Sequence, residues 1–492
     1  MANTEKSTRV ENLKDDILSG PIIKTLLTLG WPVIVSNVIQ TLYNVIDTYW
    51  LGRLGNVAVS APTVGFPVVF LLISVGMGFS IAGVSLVSQH TGAGSEENAN
   101  RAAGQVVGFM FLSAMILSAL GYAVAPFLLE NLMGVPEDVF PKALSYIRII
   151  FSGLPLMFLF FSFRSMMRGV GDMITPMVIS SVSALLNGVV LDPILIFGLG
   201  SIPSLGVSGA AVATISSRGL AALAGLYLLF FGEVEIKLNF HDLLLKWRWL
   251  KQILKIGLPS SIGQAGTAVG SVILMGLISR LGVVAVTAYG IGQRIIRILN
   301  IAIWGLASPL TTMVGQNIGA EQEDRADLVA KRAFGLSFSV ILVFALIAFG
   351  LRRPVFRIFI DDPEVVKTGA RFITIFIWSI PFFGIFRLVS SVFRGSGHTR
   401  PPMVMSLIRL LPLRIGISFL LAFGAIGVSM GSEGIWLGMS ISNLVTGIIG
   451  FIWYLTGSWK ERTIEERETE GTATEEVQDS TESASLSSSS AE

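Results

Sequence analysis

The amino-acid sequence predicts an all-α polytopic membrane protein, with twelve transmembrane helices in two parallel six-helix lobes related by a pseudo-twofold axis. Three observations predict it. The 492 residues are 52% hydrophobic and only 14% charged, where soluble domains carry about a quarter charged residues. No Asp, Glu, Lys or Arg stands between Arg53 and Glu96, or between Arg101 and Glu130, and each run exceeds the roughly 20 apolar residues that span a bilayer. Third, the chain repeats itself: "RLGNVAVSAP" from Arg53 matches "RLGVVAVTAY" from Arg280, 227 positions on.

Breaking the chain at charges and Pro/Gly clusters places spans near 22–51, 57–82, 102–128, 141–162, 174–198 and 207–231, then 252–279, 285–311, 329–350, 366–388, 403–424 and 433–456. The organisation is a cytoplasmic N-terminal segment (1–20), an N-terminal lobe (21–232), a cytoplasmic linker (233–250), a C-terminal lobe (251–457) and a tail (458–492). The first twenty residues lack a signal peptide's apolar stretch and are expected to be retained. In the linker, "LLLKWRWLKQILKIG" mixes Leu and Trp with Lys and Arg, which predicts a bridge lying on the inner leaflet. The acidic, Ser-rich tail holds too little apolar surface to fold and is expected to be disordered in the cytoplasm.

With the N-terminus inside, the cytoplasmic segments hold roughly three times the Lys and Arg of the outer ones. Arg164, Arg168 and Arg394 are counted among them. A multi-pass cell (inner) membrane protein with both termini cytoplasmic follows. Arg352, Arg353 and Arg357 dissent, falling outside beside Asp361, Asp362 and Glu364.

The repeat runs through the chain. Pro32 pairs with Pro259 and "VSQHTGA" with "VGQNIGA" at 227, then "RGVGDMITPMV" from Arg168 with "RGSGHTRPPMV" from Arg394 at 226. An even number of spans per half starts both halves on the same side, so the axis lies along the membrane normal and a cavity lies between the lobes.

Asp47 is the only acidic residue in the first span, and Asp192 the only charge between Asp172 and Arg218. An ionised Asp at a helix centre costs about 2.5–3.5 kcal/mol, so such residues are neutralised by a proton, a cation or a basic partner. A hydrated Asp near a helix end is the bland alternative, since Asp47 stands six residues before Arg53. Ser36, Gln40, Tyr43 and Asp47 share one helical face, widened by Asn37 and Asn44. Lipid cannot satisfy such a stripe, which must line a cavity or a seam between helices. Pro32 and Pro193 free the carbonyls of Thr28 and Val189, as cation ligands or simple kinks. In the repeat Asp47 falls on Leu274 and Asp192 on Ser418, which assigns cation coupling to the first lobe. Arg294, Arg297, Arg409 and Arg414 lie in second-lobe spans, where they snorkel, hold lipid headgroups or shape the cavity field. Arg218, four residues after Thr214, is a candidate partner for an Asp. His90, His241 and His398 fall at loops or helix ends and are expected at the surface. The absence of Cys excludes thiolate chemistry. No Walker A, GxSxG or HExxH motif is present, so nothing marks an enzyme or an ATP-driven pump.

With those residues in place, positions 18–456 resemble the multidrug and toxic compound extrusion (MATE) family. The resemblance rests on "GWPVIVSNVIQTLYNVIDTYWLGRLG", "VSQHTGAG", "FRSMMRGVGDMITP", "LDPILIFG" and "GVSGAAVATISSR", in family order. It implies a secondary antiporter exporting hydrophobic or cationic organic compounds in exchange for Na+ or H+. Asp47 and Asp192 match its paired acids, and would ligate the ion if that is Na+. Thr214 matches a sixth-helix hydroxyl ligand, Tyr43 a cavity residue and Pro32 the first-helix kink. Asn187 departs from the pattern, standing five residues before Asp192 where similar members have four. Only a π-bulge would turn it into the site. No cofactor is expected beyond the transported Na+ or H+. The partners expected are small organic compounds and membrane lipid, not nucleic acid, and the chain is expected to act as a monomer. A lipid-linked saccharide flippase of the same superfamily is the alternative.

Overall fold

Each uncharged run is helical, because a backbone in hydrocarbon has to satisfy its polar groups within its own segment. The computed structural model describes residues 13–461 apart from 425, 426 and 428. The first lobe holds α1 (Ile22–Arg53), α2 (Asn56–Gly92), α3 (Glu96–Phe127), α4 (Phe140–Ser152 and Leu154–Val170, meeting at 48°), α5 (Ile174–Phe197) and α6 (Val207–Phe231). The second holds α7 (Trp247–Ser279), α8 (Val283–Gly319), α9 (Glu323–Gly350), α10 (Pro363–Gly395), α11 (Arg400–Phe423) and α12 (Ser432–Leu455). Among the described residues eleven of these are single helices long and apolar enough to cross a membrane, and the bent α4 makes the twelfth. The two-lobed helical architecture is the predicted one.

Several boundaries differ from the sequence reading. The helices α2, α4, α8 and α10 continue to Gly92, Val170, Gly319 and Gly395, about two turns past their expected ends. Bilayer length sets the minimum for a spanning helix, not its end, and these extensions find partners in the opposite lobe. Arg164, Arg168 and Arg394 therefore lie on spanning helices rather than in cytoplasmic loops. The linker also differs, since α7 already begins at Trp247 and Trp249 is buried. The chain before it is strapped to α3, with Phe240, Leu244 and Trp247 left exposed. Gln105 Nε2 donates to the carbonyls of Asp242 (2.8 Å) and Leu244 (2.6 Å), and Gln105 Oε1 accepts from Lys246 N (2.7 Å). His90 is buried in α2 with its ring 5.5 Å from that of Trp249, not at the surface. The tail beyond 461 and the first twelve residues lie outside the described residues.

The lobes meet closely at one end, and small residues make this possible. A Cβ on Gly92 would stand 2.0 Å from the Gln316 carbonyl oxygen, and one on Gly319 2.0 Å from that of Gln89. Hydrogen bonds fasten the same end: Gln89 Nε2 donates to the Gly395 carbonyl and Gln316 Nε2 to that of Gly169, both at 2.9 Å. The segment before α1 adds a clasp, with Arg325 of α9 donating to the carbonyls of Ile17 (3.2 Å) and Gly20 (2.7 Å). The structure is thus closed at the end where α2 and α8 finish, and the cleft between the lobes lies on the far side of that seal.

Gly92→Val should wedge this seal. Overpacking costs roughly 1–3 kcal/mol, a shift of at least about fivefold in the opening equilibrium. Because the chain has no cysteine, Ser88→Cys at the seal gives a clean reporter, and its maleimide labelling should accelerate by that factor when Gly92→Val is added. Unchanged labelling would show that this contact does not hold the lobes together.

Candidate cation-coupling site

The site begins with a break in helical regularity. Residues Leu186–Leu191 of α5 form a π-helical turn, between Ile174–Leu185 and Asp192–Phe197. Pro193 stands in the first turn of the segment after it, where a missing N–H is harmless. The extra residue supplies the rotation that the five-residue spacing of Asn187 and Asp192 requires, so both face inward and both are buried. It also leaves the Gly188 carbonyl without its regular partner, and Trp50 Nε1 of α1 donates to it at 2.8 Å. Carbonyl release was expected at Thr28 and Val189; the carbonyl found with a partner from another helix is that of Gly188.

Around the turn the polar side chains form one network. The Asn187 amide, oriented so that its nitrogen faces acceptors, donates to Asp192 Oδ1 (3.3 Å) and the Ala213 carbonyl (3.1 Å), while its oxygen accepts from Tyr43 OH (2.8 Å). Tyr43 OH also lies 3.0 Å from Thr214 Oγ1 of α6. Asp192 is fully buried, and its Oδ2 has no hydrogen-bond partner. Asp47, half-buried one turn beyond Tyr43 on α1, is within electrostatic reach of Asp192. Asp47, Tyr43, Asn187, Asp192 and Thr214 are thereby brought together from three helices. Arg218 stands one turn beyond Thr214 on α6, and among the described residues it makes no ion pair with either acid.

The rest of the α1 stripe divides. Asn37 reaches the cavity between the lobes, Ser36 is half-buried and donates to the Pro32 carbonyl at 2.8 Å, and Gln40 and Asn44 are exposed and bonded to each other at 3.3 Å. Pro32 sits inside an unbroken helix. Two contributors had no sequence signal. Trp50 is one aromatic among many, and Tyr146 of α4, within reach of the charges of Asp47, Asp192 and Arg218, is an isolated tyrosine in an apolar run.

The repeat places a similar frame in the second lobe with the charges replaced. A π-helical stretch, Arg409–Gly416, interrupts α11. Leu274 is buried in the core, and Ser418 Oγ donates to the Ile435 carbonyl at 3.3 Å. A pocket of about 180 Å³ there is lined by Arg409 and Arg414. Arg414 donates to Ser442 Oγ (3.1 Å) and Asn443 Oδ1 (2.6 Å), and Arg409 lies over the rings of Phe383 and Phe386. Both point into the lobe, so neither snorkels.

The MatE family model matches residues 32–194 and again 259–420, one copy per lobe. The chain belongs to the MatE family. It is 27% identical over 433 residues to the probable multidrug resistance protein YoeA of Bacillus subtilis, covering 86% of this chain and 92% of that one. A protein named FAD transporter, from Shewanella oneidensis, is 28% identical over 440 residues, 88% of this chain and 94% of the relative. A crystal structure of MATE in complex with MaL6 superposes with a TM-score of 0.83 at 23% identity, over 90% of this chain and 98% of that one. The MatE fold is therefore shared along nearly the whole described chain.

Asn187→Ala tests the network in this MatE protein. It removes the partner of Tyr43 OH and of Asp192 Oδ1 together, and leaving buried polar atoms unpaired costs about 1–3 kcal/mol each. Thermal unfolding in detergent should fall accordingly, and an unchanged midpoint would place Asn187 outside the network.

Proposed function

We propose that this MatE protein is a secondary exporter of small organic compounds, driven by Na+ or H+ that binds between Asp192 and Asp47. The observation that carries this reading is Asp192 Oδ2, a carboxylate oxygen sealed in a helical lobe with no hydrogen-bond donor beside it and a second acid nearby. A carboxyl taken out of water favours protonation, and carboxylate, amide, hydroxyl and carbonyl oxygens are also the ligands a hard cation takes. Binding either ion removes an uncompensated charge from the first lobe, and so biases how that lobe packs against the second.

Lys331, Arg332 and Lys460 stand near the closed end, which supports its being cytoplasmic and the structure's being outward-facing. The ion then enters through the open cleft with the membrane potential, which supplies about 2.3 kcal/mol per charge at 100 mV. That drives tens-fold accumulation. The names of relatives, multidrug resistance proteins among them, support export of organic compounds. A flippase for lipid-linked saccharides is the second reading, favoured by the arginines that line the cleft floor.

Inverted membrane vesicles with separately imposed Na+ and pH gradients, supplied from outside with ethidium or carboxyfluorescein as organic probes of opposite charge, test the proposal. One gradient should drive uptake in the native protein, and Asp47→Asn and Asp192→Asn should each abolish it while the protein still inserts. Native rates in either variant would remove that acid from the coupling site.

A further inference from the structure

Directly above the closed end, a cavity of about 280 Å³ lies between the lobes. Arg164 and Arg168 of α4 line it from one lobe, Arg387 and Arg394 of α10 from the other. No Asp or Glu lines it, and among the described residues none of the four arginines is in an ion pair. The Nε atoms of Arg164 and Arg394 are buried with no hydrogen-bond acceptor. Arg387 is held flat, its guanidinium carbon 4.0 Å from the ring centroid of Trp304, which orients the fork and leaves its edges free to donate.

Neither fold maintenance nor snorkelling accounts for this cluster. Arg168 and Arg394 are mates in the repeat, but Arg164 corresponds to Ser390 and Arg387 to Phe161, so each lobe adds an arginine the shared fold does not require. Arg164 and Arg387 stand six and eight residues before the ends of their helices, about 9 and 12 Å inward. Beneath them the path is sealed by Thr312 Oγ1 donating to the Arg168 carbonyl at 2.7 Å and by Gln89 at Gly395. Four like charges in a walled cavity, without a carboxylate, call for an anion. The volume suits one anionic group rather than a whole drug-sized molecule, and Asn37, Gln264 and Thr311 add polar contacts around it.

We propose that the cleft floor is the anion-binding end of the substrate site, and that the exported compound carries a phosphate, sulfonate or carboxylate group gripped between the lobes by Arg164, Arg168, Arg387 and Arg394. This deepens the exporter reading and rests on it, and it replaces the cationic cargo that the family resemblance implies. It also fixes the sign of charge movement. A cation moving inward and an anion moving outward both carry positive charge inward, so the potential drives both legs of the exchange.

The test uses the full chain in phosphatidylcholine vesicles, with carboxyfluorescein as organic anion, ethidium as organic cation and inorganic pyrophosphate as competitor. Carboxyfluorescein should bind, quench tryptophan fluorescence and be displaced by pyrophosphate. Arg164→Gln and Arg387→Gln should each weaken binding about tenfold or more, as loss of a charge-assisted hydrogen bond predicts. Arg387→Lys should recover part of it. Thr311→Asp, which puts a carboxylate in the cavity without removing an arginine, should abolish it. In all variants the shift of the thermal midpoint by Na+ or pH should survive, since the first-lobe acids are untouched, and this doubles as a check of folding. Displacement by added phosphatidylglycerol but not by pyrophosphate would assign the anion to a lipid headgroup, and the reverse to a soluble compound; either keeps the site. Binding of ethidium in preference to carboxyfluorescein, or carboxyfluorescein binding indifferent to Arg387→Gln and Thr311→Asp, would overturn the proposal. Should the arginine-dependent binding hold while neither ion gradient drives uptake, the anion site stands and the exporter reading fails.

Discussion

One carboxylate oxygen organises the first lobe. Asp192 Oδ1 is satisfied by Asn187, while Oδ2 is buried and unpaired, and a charge left so in a low-dielectric interior has to be compensated. The surrounding structure keeps it in that condition rather than relieving it. The π-helical turn holds Asn187 and Asp192 on one face, Trp50 pins the turn through the Gly188 carbonyl, and Tyr43 and Thr214 occupy the polar groups that could otherwise swing toward Oδ2. A buried cost held in place in this way is what the proposed coupling site would use.

The second lobe shows which parts of that arrangement belong to the fold. Its α11 repeats the π-helical interruption, yet the positions of the two acids are taken by a core leucine and by a serine bonded to a backbone carbonyl. Gene-level duplication accounts for the shared backbone irregularity. The swapped charges, acids in one lobe and Arg409 with Arg414 in the other, belong to what the lobes have since come to do. Two lobes with opposite interior charge respond differently to the same ion.

Much of this was legible in the sequence, for reasons tied to particular residues. Helix number and lobe symmetry follow from uncharged runs and the 227-residue offset, because lipid enforces both hydropathy and helicity. Asp47 and Asp192 stood out as lone acids in apolar runs, and the five-residue spacing let Asn187 join Asp192 only through a π-turn, which α5 contains. Arg164, Arg168 and Arg394 were read as loop charges because the apolar run stops before them, and α4 and α10 continue as helix through them. Trp50 and Tyr146 were invisible for another reason. Their roles depend on which helices become neighbours, and no single-chain pattern encodes that.

The two polar sites sit at different depths of one cleft and have opposite charge, and that arrangement has a mechanical consequence. The acids belong wholly to the first lobe, so an ion bound there changes how that lobe's own helices α1, α5 and α6 pack. The arginines come in pairs from both lobes, so an anion bound there joins lobe to lobe, directly above the seal made by Gly92, Gln89, Gln316 and Gly319. An empty floor leaves four like charges apposed across the interface and pushes the lobes apart just where the seal holds them together. An occupied floor removes that repulsion. In the proposed exchange, ion binding acts within a lobe and substrate binding acts between lobes, and the seal is the element whose balance both of them would shift.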